Sequence, residues 1–404
     1  MQRQSVLIPA IKLTLITTLF VAICISSQAQ TLPPVSETTT VSQTAVVSAS
    51  TTAAEFVPTS KFSGDFRYRH QALKDNQKEE RRIHRLMLRI GQTFQIQSDL
   101  KFTYRLMTGT AANSGNTTIG DKSSNTQGSP RYSIGLDQAF VAYTADTGLD
   151  LFIGKMPQFF YSAGKNQIIL DRDITPEGLA LQYKYVFIDK KLDATFNLAS
   201  LWVRERYDDS FGEDQTDSFL NVGQVLVNYK LPYDLSLVAG YGMYSFTNIK
   251  DSKPNEIFVQ STADFKGNTS DLLSNYLYNY EMTQTLLEVK WTKKPYEVTV
   301  FAELIKNTAA DTNNRAQATG VSLGYDKFSI SYIDQVIEND SVLAVYTNSD
   351  FAGGQTDSRG NILQLGYKMN KNAALNYSVY KAERAVSTLP VDIQLSQLDL
   401  TISF

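Results

Sequence analysis

Six cations, Arg67, Arg69, Arg85, Arg89, Lys101 and Arg105, occupy alternating positions in three consecutive segments, each set opposite apolar residues. Arg85 and Arg89 alternate with Leu86, Leu88 and Ile90; Lys101 and Arg105 alternate with Leu100, Phe102, Tyr104 and Leu106. A period of two sends successive side chains to opposite faces of an extended chain, so these cations share one face. The chemistry open to such a row is electrostatic: fixed positive groups attract and orient polar solutes, or stand solvated beside them. Three acids, Asp171, Asp173 and Glu177, close the polar stretch 157–177, which also carries Phe159, Phe160 and Tyr161. Three successive aromatics favour a packed position over a free surface loop.

Bond-making chemistry finds little material. Two His and one Cys exclude most zinc, iron–sulfur and thiol chemistry, and no metal or other cofactor is expected. His70 and His84 fall on the apolar parity of their segments and flank the first loop, a place near a rim, so no catalytic residue is expected. Asp350 and Asp357, around Gly353-Gly354, lack the spacing of a calcium loop, and that segment reads as a hairpin tip. Tyr276, Tyr278 and Tyr280 share one parity and read as an interfacial aromatic girdle or as loop packing rather than a sugar slide, with the girdle favoured.

The elements that must position these groups are strands. Residues 1–29 form an export signal, with an apolar run from Leu13 to Ile25 before Ser27-Gln28-Ala29; Ile23 stands where lipid attachment at Cys24 would want a small residue. Residues 30–60, rich in Ser, Thr, Ala and Val, are expected to be a flexible periplasmic tether. The chain is mildly acidic, at −3 overall, and has no basic face suited to nucleic acid. Beyond the signal no apolar run approaches the ~20 residues of a membrane-crossing helix.

From residue 61 onward, period-two alternation predicts sixteen strands, at about 62–70, 83–97, 99–108, 131–144, 149–156, 178–187, 191–205, 218–231, 234–248, 279–291, 296–306, 316–326, 327–338, 360–369, 372–382 and 393–404. Connections after even strands are tight, such as Asp326-Lys327 and Asn370-Lys371, whereas most after odd strands are long and polar. Short turns on one rim, long loops on the other and an even strand count define an antiparallel outer-membrane β-barrel over 61–404 with both ends in the periplasm. The 22 Tyr and 21 Phe then have a role, since aromatic rings collect at the two bilayer interfaces. The last strand ends in Phe404, which resembles the mark by which barrel-assembly machinery recognises its clients.

Five segments, FSGDFRYRH (Phe62 to His70), LFIGKMPQFF (Leu151 to Phe160), DRDITPEGLALQY (Asp171 to Tyr183), VFAELIKN (Val300 to Asn307) and SDFAGGQTDSRGN (Ser349 to Asn361), together resemble the proteobacterial "putative porin" family in the family's order. The resemblance covers essentially the whole barrel. It implies a homotrimeric channel in the outer membrane of a Gram-negative bacterium, bathed in outer-membrane lipid and passing ions and small hydrophilic solutes by diffusion. It also implies a third loop that folds into the barrel. The acids Asp171, Asp173 and Glu177 would then face the cationic wall and set a transverse field across a constriction. Two other readings stay open: a channel selective for an anionic substrate, whose arginines would crowd a constriction without acidic partners, and a structural or adhesive barrel with a sealed lumen.

Overall fold

A computed structural model describes residues 56–109, 114–120, 131–187, 190–206, 216–258 and 264–404. The expected export signal and nearly all of the expected tether lie outside the described residues. Sixteen strands form the wall: β1 (Thr59–Asp75), β2 (Lys78–Gln95), β3 (Leu100–Thr108), β4 (Ile134–Thr144), β5 (Leu149–Lys155), β6 (Glu177–Val186), β7 (Leu192–Arg204), β8 (Ser218–Lys230), β9 (Leu235–Phe246), β10 (Tyr280–Lys293), β11 (Tyr296–Asn307), β12 (Arg315–Tyr325), β13 (Phe328–Ile337), β14 (Ser358–Lys368), β15 (Ala373–Arg384) and β16 (Val391–Ser403). Each pairs antiparallel with its sequence neighbours, and β1 closes the barrel on β16 from Asp65↔Ser403 to Asp75↔Ile393. Closure gives every wall strand a partner on both sides, the condition under which strands can cross a bilayer. A two-residue strand, Thr117–Thr118, lies beside Arg85 and Leu86 of β2.

The two faces differ as the alternation requires. Val225, Leu287, Val300, Leu304 and Ile330 point outward and are exposed, while Gln224, Leu286, Phe301, Glu303 and Ile305 on the other parity are buried. Near the short-turn rim the outer surface carries paired aromatics, with ring centroids 5.1 Å apart for Tyr296 and Tyr325, and 4.8 Å for Phe328 and Tyr367. Such rings suit a bilayer interface.

Three expectations need correction. The segment 71–82 is not an external loop: β1 and β2 continue to a tight turn at Asn76-Gln77, where Asp75 Oδ1 accepts the Gln77 amide at 3.0 Å. His70 and His84 therefore lie well below the hairpin tip, their rings tilted against each other with centroids 4.8 Å apart and Tyr68 Oη 2.6 Å from His84 Nδ1. Tyr276 and Tyr280 are not girdle residues. Both are fully buried, with Tyr276 packed edge-on against Phe265 and Tyr280. Gly353-Gly354 is not a hairpin tip either, because its segment folds inward, with Phe351 and Ala352 buried.

The core sits inside the barrel. Apolar residues of loop 156–176 (Met156, Ile168, Leu170) and of loop 338–357 (Val342, Leu343, Phe351) pack with inward residues of β7–β11, among them Leu201, Tyr244 and Phe301. On the β12–β15 side Ile333, Ile337, Ile362 and Tyr380 join this core, but toward the short turns the inward positions are small or polar, as at Ser322, Gly324, Ser329, Ser331 and Gly366, which leaves open space.

Candidate functional site

Loop 156–176 leaves β5, crosses the lumen and is held on the far wall by inward polar residues of β8, β10 and β11. The Tyr161 amide donates to Gln224 Oε1 at 2.9 Å, and its hydroxyl donates to Glu288 Oε1 at 2.8 Å. Glu303 Oε2 accepts from the Ala163 amide at 2.7 Å and from Asn166 Nδ2 at 2.9 Å, while Gln284 Nε2 donates to Glu303 Oε1 at 2.9 Å. A loop passing through a protein interior must find acceptors for its amides; here the wall supplies them from the side chains of Gln224, Glu288 and Glu303. At Gly164 the backbone is left-handed, with φ 60°, and a Cβ would overlap the Phe301 ring, so only glycine fits.

A second loop joins it. The Asp171 amide donates to Tyr346 O at 2.6 Å and the Asn348 amide to Gln167 O at 3.0 Å, while Asp171 Oδ2 accepts the Ser349 amide at 2.8 Å. Loop 338–357 then reaches the opposite wall through Asp350, which accepts from Gln397 Nε2 at 2.8 Å and pairs with Arg69 at 3.4 Å. The two loops thus span the barrel together.

The sequence-predicted cations lie on the inward parity of β1, β2 and β3, and three of the six are neutralised by acids of the wall. Arg69 makes a two-pronged bond to Asp399, its register partner across the seam, at 2.7 and 2.8 Å. Arg89 pairs with Asp65 at 2.8 Å, and Arg105 with Asp137. Arg67 reaches Asn116 Oδ1 at 2.9 Å. Arg85 stands directly across from Arg69, and Lys101 lies exposed near the short-turn rim opposite Gln95.

The predicted acids separate. Asp171 is buried between the loops, and Asp173, half-buried, lines the open space. Burial pushes the Asp171 carboxyl up to about 6, against the opposing pull of the Asp173 and Ser349 amides. Glu177 is not on the loop. It opens β6 on the outward parity, across from exposed Trp202, and pairs with Lys155 at 2.7 Å. Sequence reasoning missed Asp399, Asp65, Asp137 and Asp350. Closing the first strand on the last, in register, would have set Asp399 against Arg69.

Between the loops and the β12–β16 wall lies a cavity of about 880 Å³. Arg81, near the long-loop rim, and Gly366 and Asn376, near the short-turn rim, all line it. A closed barrel with an apolar outer band and a polar passage through its interior defines a transmembrane channel. The model of the "Putative porin" family matches residues 60–297 and 326–404, and the chain belongs to that family. It forms an outer-membrane channel for passive diffusion. Among solved structures, OprB of Pseudomonas putida, in its high-pH structure, aligns over 85% of this chain and 94% of its own at a TM-score of 0.56 and 12% identity, a likeness of fold. OmpF of Salmonella typhi, in complex with daunomycin, aligns over 85% and 97% at a TM-score of 0.49 and 13% identity. No curated protein matches the chain.

Proposed function

We propose that the chain acts in a Gram-negative bacterium as a diffusion porin for ions and small hydrophilic solutes, with a constriction built from two inward loops. The observation that carries this reading is a cavity lined by residues from near both rims, bounded on one side by Arg67, Arg69 and Arg85 and on another by Asp173. Fixed charges of both signs around a narrow, partly desolvated passage orient dipolar solutes and disfavour apolar ones. Arg89, Arg105 and Lys101 extend the cationic wall toward the short-turn rim. Residues 1–29 are the export leader, and 30–60 belong to the periplasmic side, where the short turns also lie. Outer-membrane lipid covers the apolar band. The family likeness supports a homotrimer, and the aromatic Phe404 supports recognition by the assembly machinery.

The test is single-channel conductance of the refolded protein in a planar bilayer. Steps that arrive in threes and scale linearly with salt are the expected result. A barrel shown to be folded but passing no current would point instead to a sealed lumen, the reading favoured by the apolar packing of both loops against β7–β11.

A further inference from the structure

The acids of the lumen are distributed unevenly over its arginines. Asp399 and Asp350 are taken by Arg69, Asp65 by Arg89, Asp137 by Arg105 and Asp75 by Arg384 at 2.7 Å. Four arginines that line the same cavity form no ion pair among the described residues: Arg172, on the loop, which donates to Lys165 O at 3.0 Å, and Arg67, Arg81 and Arg85 on the wall. The three on the wall descend in steps. Arg81 is exposed near the long-loop end of β2; Arg85 lies four residues further along the same inward face, roughly 13 Å at strand spacing. Arg67, on β1, is deeper by about one more inward position, since its register partner is Met87.

Two details mark this row as a place for an acceptor the protein does not supply. The Nε atoms of Arg67 and Arg85 are both buried and have no hydrogen-bond partner among the described residues. Arg85 also faces Arg69 directly across the strand pair; Asp350 and Asp399 offset that like-charge contact from the Arg69 side, while Arg85 itself bonds to no acid among the described residues. A guanidinium offers a planar fork of N–H donors that fits the paired oxygens of a carboxylate or phosphate better than a spherical ion. Asp173 and Asp171 flank the cavity from the loop side, and Asp171 turns its oxygens to backbone amides.

We propose that Arg81, Arg85 and Arg67 form a stepped binding path for small oxyanions, solutes bearing a carboxylate or phosphate, which pass from one guanidinium to the next through the constriction. This rests on the porin reading and narrows it: the channel carries anions by way of a saturable step.

The experiment uses the refolded mature chain in a planar bilayer, with potassium chloride carrying the current and inorganic phosphate or succinate added as probes. In the wild type, reversal potential should lie on the anion side and either probe should reduce chloride current saturably. Arg85→Gln and Arg67→Gln should each raise the half-blocking concentration about tenfold or more, the loss expected for a charge-assisted hydrogen bond. Arg82→Gln, at an exposed position paired with Glu80 on the outer parity, should leave block unchanged. Block by phosphate alone or succinate alone still supports the path and tells which oxyanion it takes. Absence of block in a conducting wild-type channel, or equal block of R85Q, overturns the path and leaves the porin reading standing. Loss of all conductance from folded protein overturns the porin reading instead.

Discussion

Asp171 is the side chain on which both inward loops converge, and its ionisation links pH to the constriction. Its oxygens accept the amides of Asp173, at 3.0 Å, and Ser349, at 2.8 Å, yet burial holds its carboxyl up at about 6, above the roughly 3.9 of an unfolded aspartate. The folded chain therefore holds this proton more tightly than the unfolded one. The associated stability is fully present below about pH 4 and is lost as pH rises through about 6. Thermal unfolding followed from pH 4 to 7 should show this decline, and Asp171→Asn, which keeps one acceptor oxygen and cannot ionise, should flatten it. The same titration removes a negative charge beside the arginine wall, so reversal potential should move toward anions as pH falls from 7 to 5, and less in D171N. An equal shift in both proteins would place the titrating group elsewhere. The cationic row was legible in the sequence because alternation alone places Arg67, Arg69 and Arg85 on one face. Their partners were not legible. Asp399 lies 330 positions from Arg69 and meets it only when the barrel closes.

The strands were legible as elements because lipid on one side and a filled or wet lumen on the other impose alternation on each of them. Where that contrast ends the signal ends too. The segment QALKDNQKEERR, from Gln71 to Arg82, is polar on both faces, so it reads as loop while its backbone continues the β1–β2 ladder. Loop 338–357 was hidden for the opposite reason: its apolar run Val342-Leu343-Ala344-Val345 lacks strand alternation but is buried, and that apolarity was the available sign of an inward fold. For loop 156–176 the decisive anchor is Glu303, fully buried on β11. Glu303→Ala would leave the Ala163 amide and the side-chain amides of Asn166 and Gln284 short of an acceptor inside the barrel, at about 1–3 kcal/mol for each group left unpaired. The loop should then leave the wall intermittently. Single-channel records of E303A should show added flicker and larger open steps, with a lowered unfolding temperature, whereas Glu303→Gln, which keeps one of the two acceptor oxygens, should fall between E303A and wild type. Quiet E303A records with unchanged step size would mean that the contacts of Tyr161 and Gly164 with Glu288 suffice to hold the loop.

For the whole molecule, closure and pore share one seam. The β1–β16 junction that completes the barrel also delivers Asp399 to Arg69, so the electrostatics of the passage depend on the chain's last strand reaching its first. Phe404 finishes that seam: its amide donates to Gly64 O at 2.9 Å, and its carbonyl accepts the Gly64 amide at 2.9 Å. Its ring stacks on Phe62 at 6.1 Å and covers Gly64 where a Cβ would otherwise stand. The backbone bonds do not need the aromatic ring, whereas recognition by assembly machinery would. Phe404→Ala should therefore refold in detergent to a conducting barrel with only a modest fall in heat stability, because one partly exposed ring contact is lost. In cells the same variant should reach the outer membrane in much smaller amount, measured as folded barrel in membrane fractions. If F404A instead fails to refold in vitro to the same degree that it fails in cells, the ring acts as a seam lock and the assembly role falls. If it accumulates normally in the membrane, recognition does not depend on the terminal aromatic.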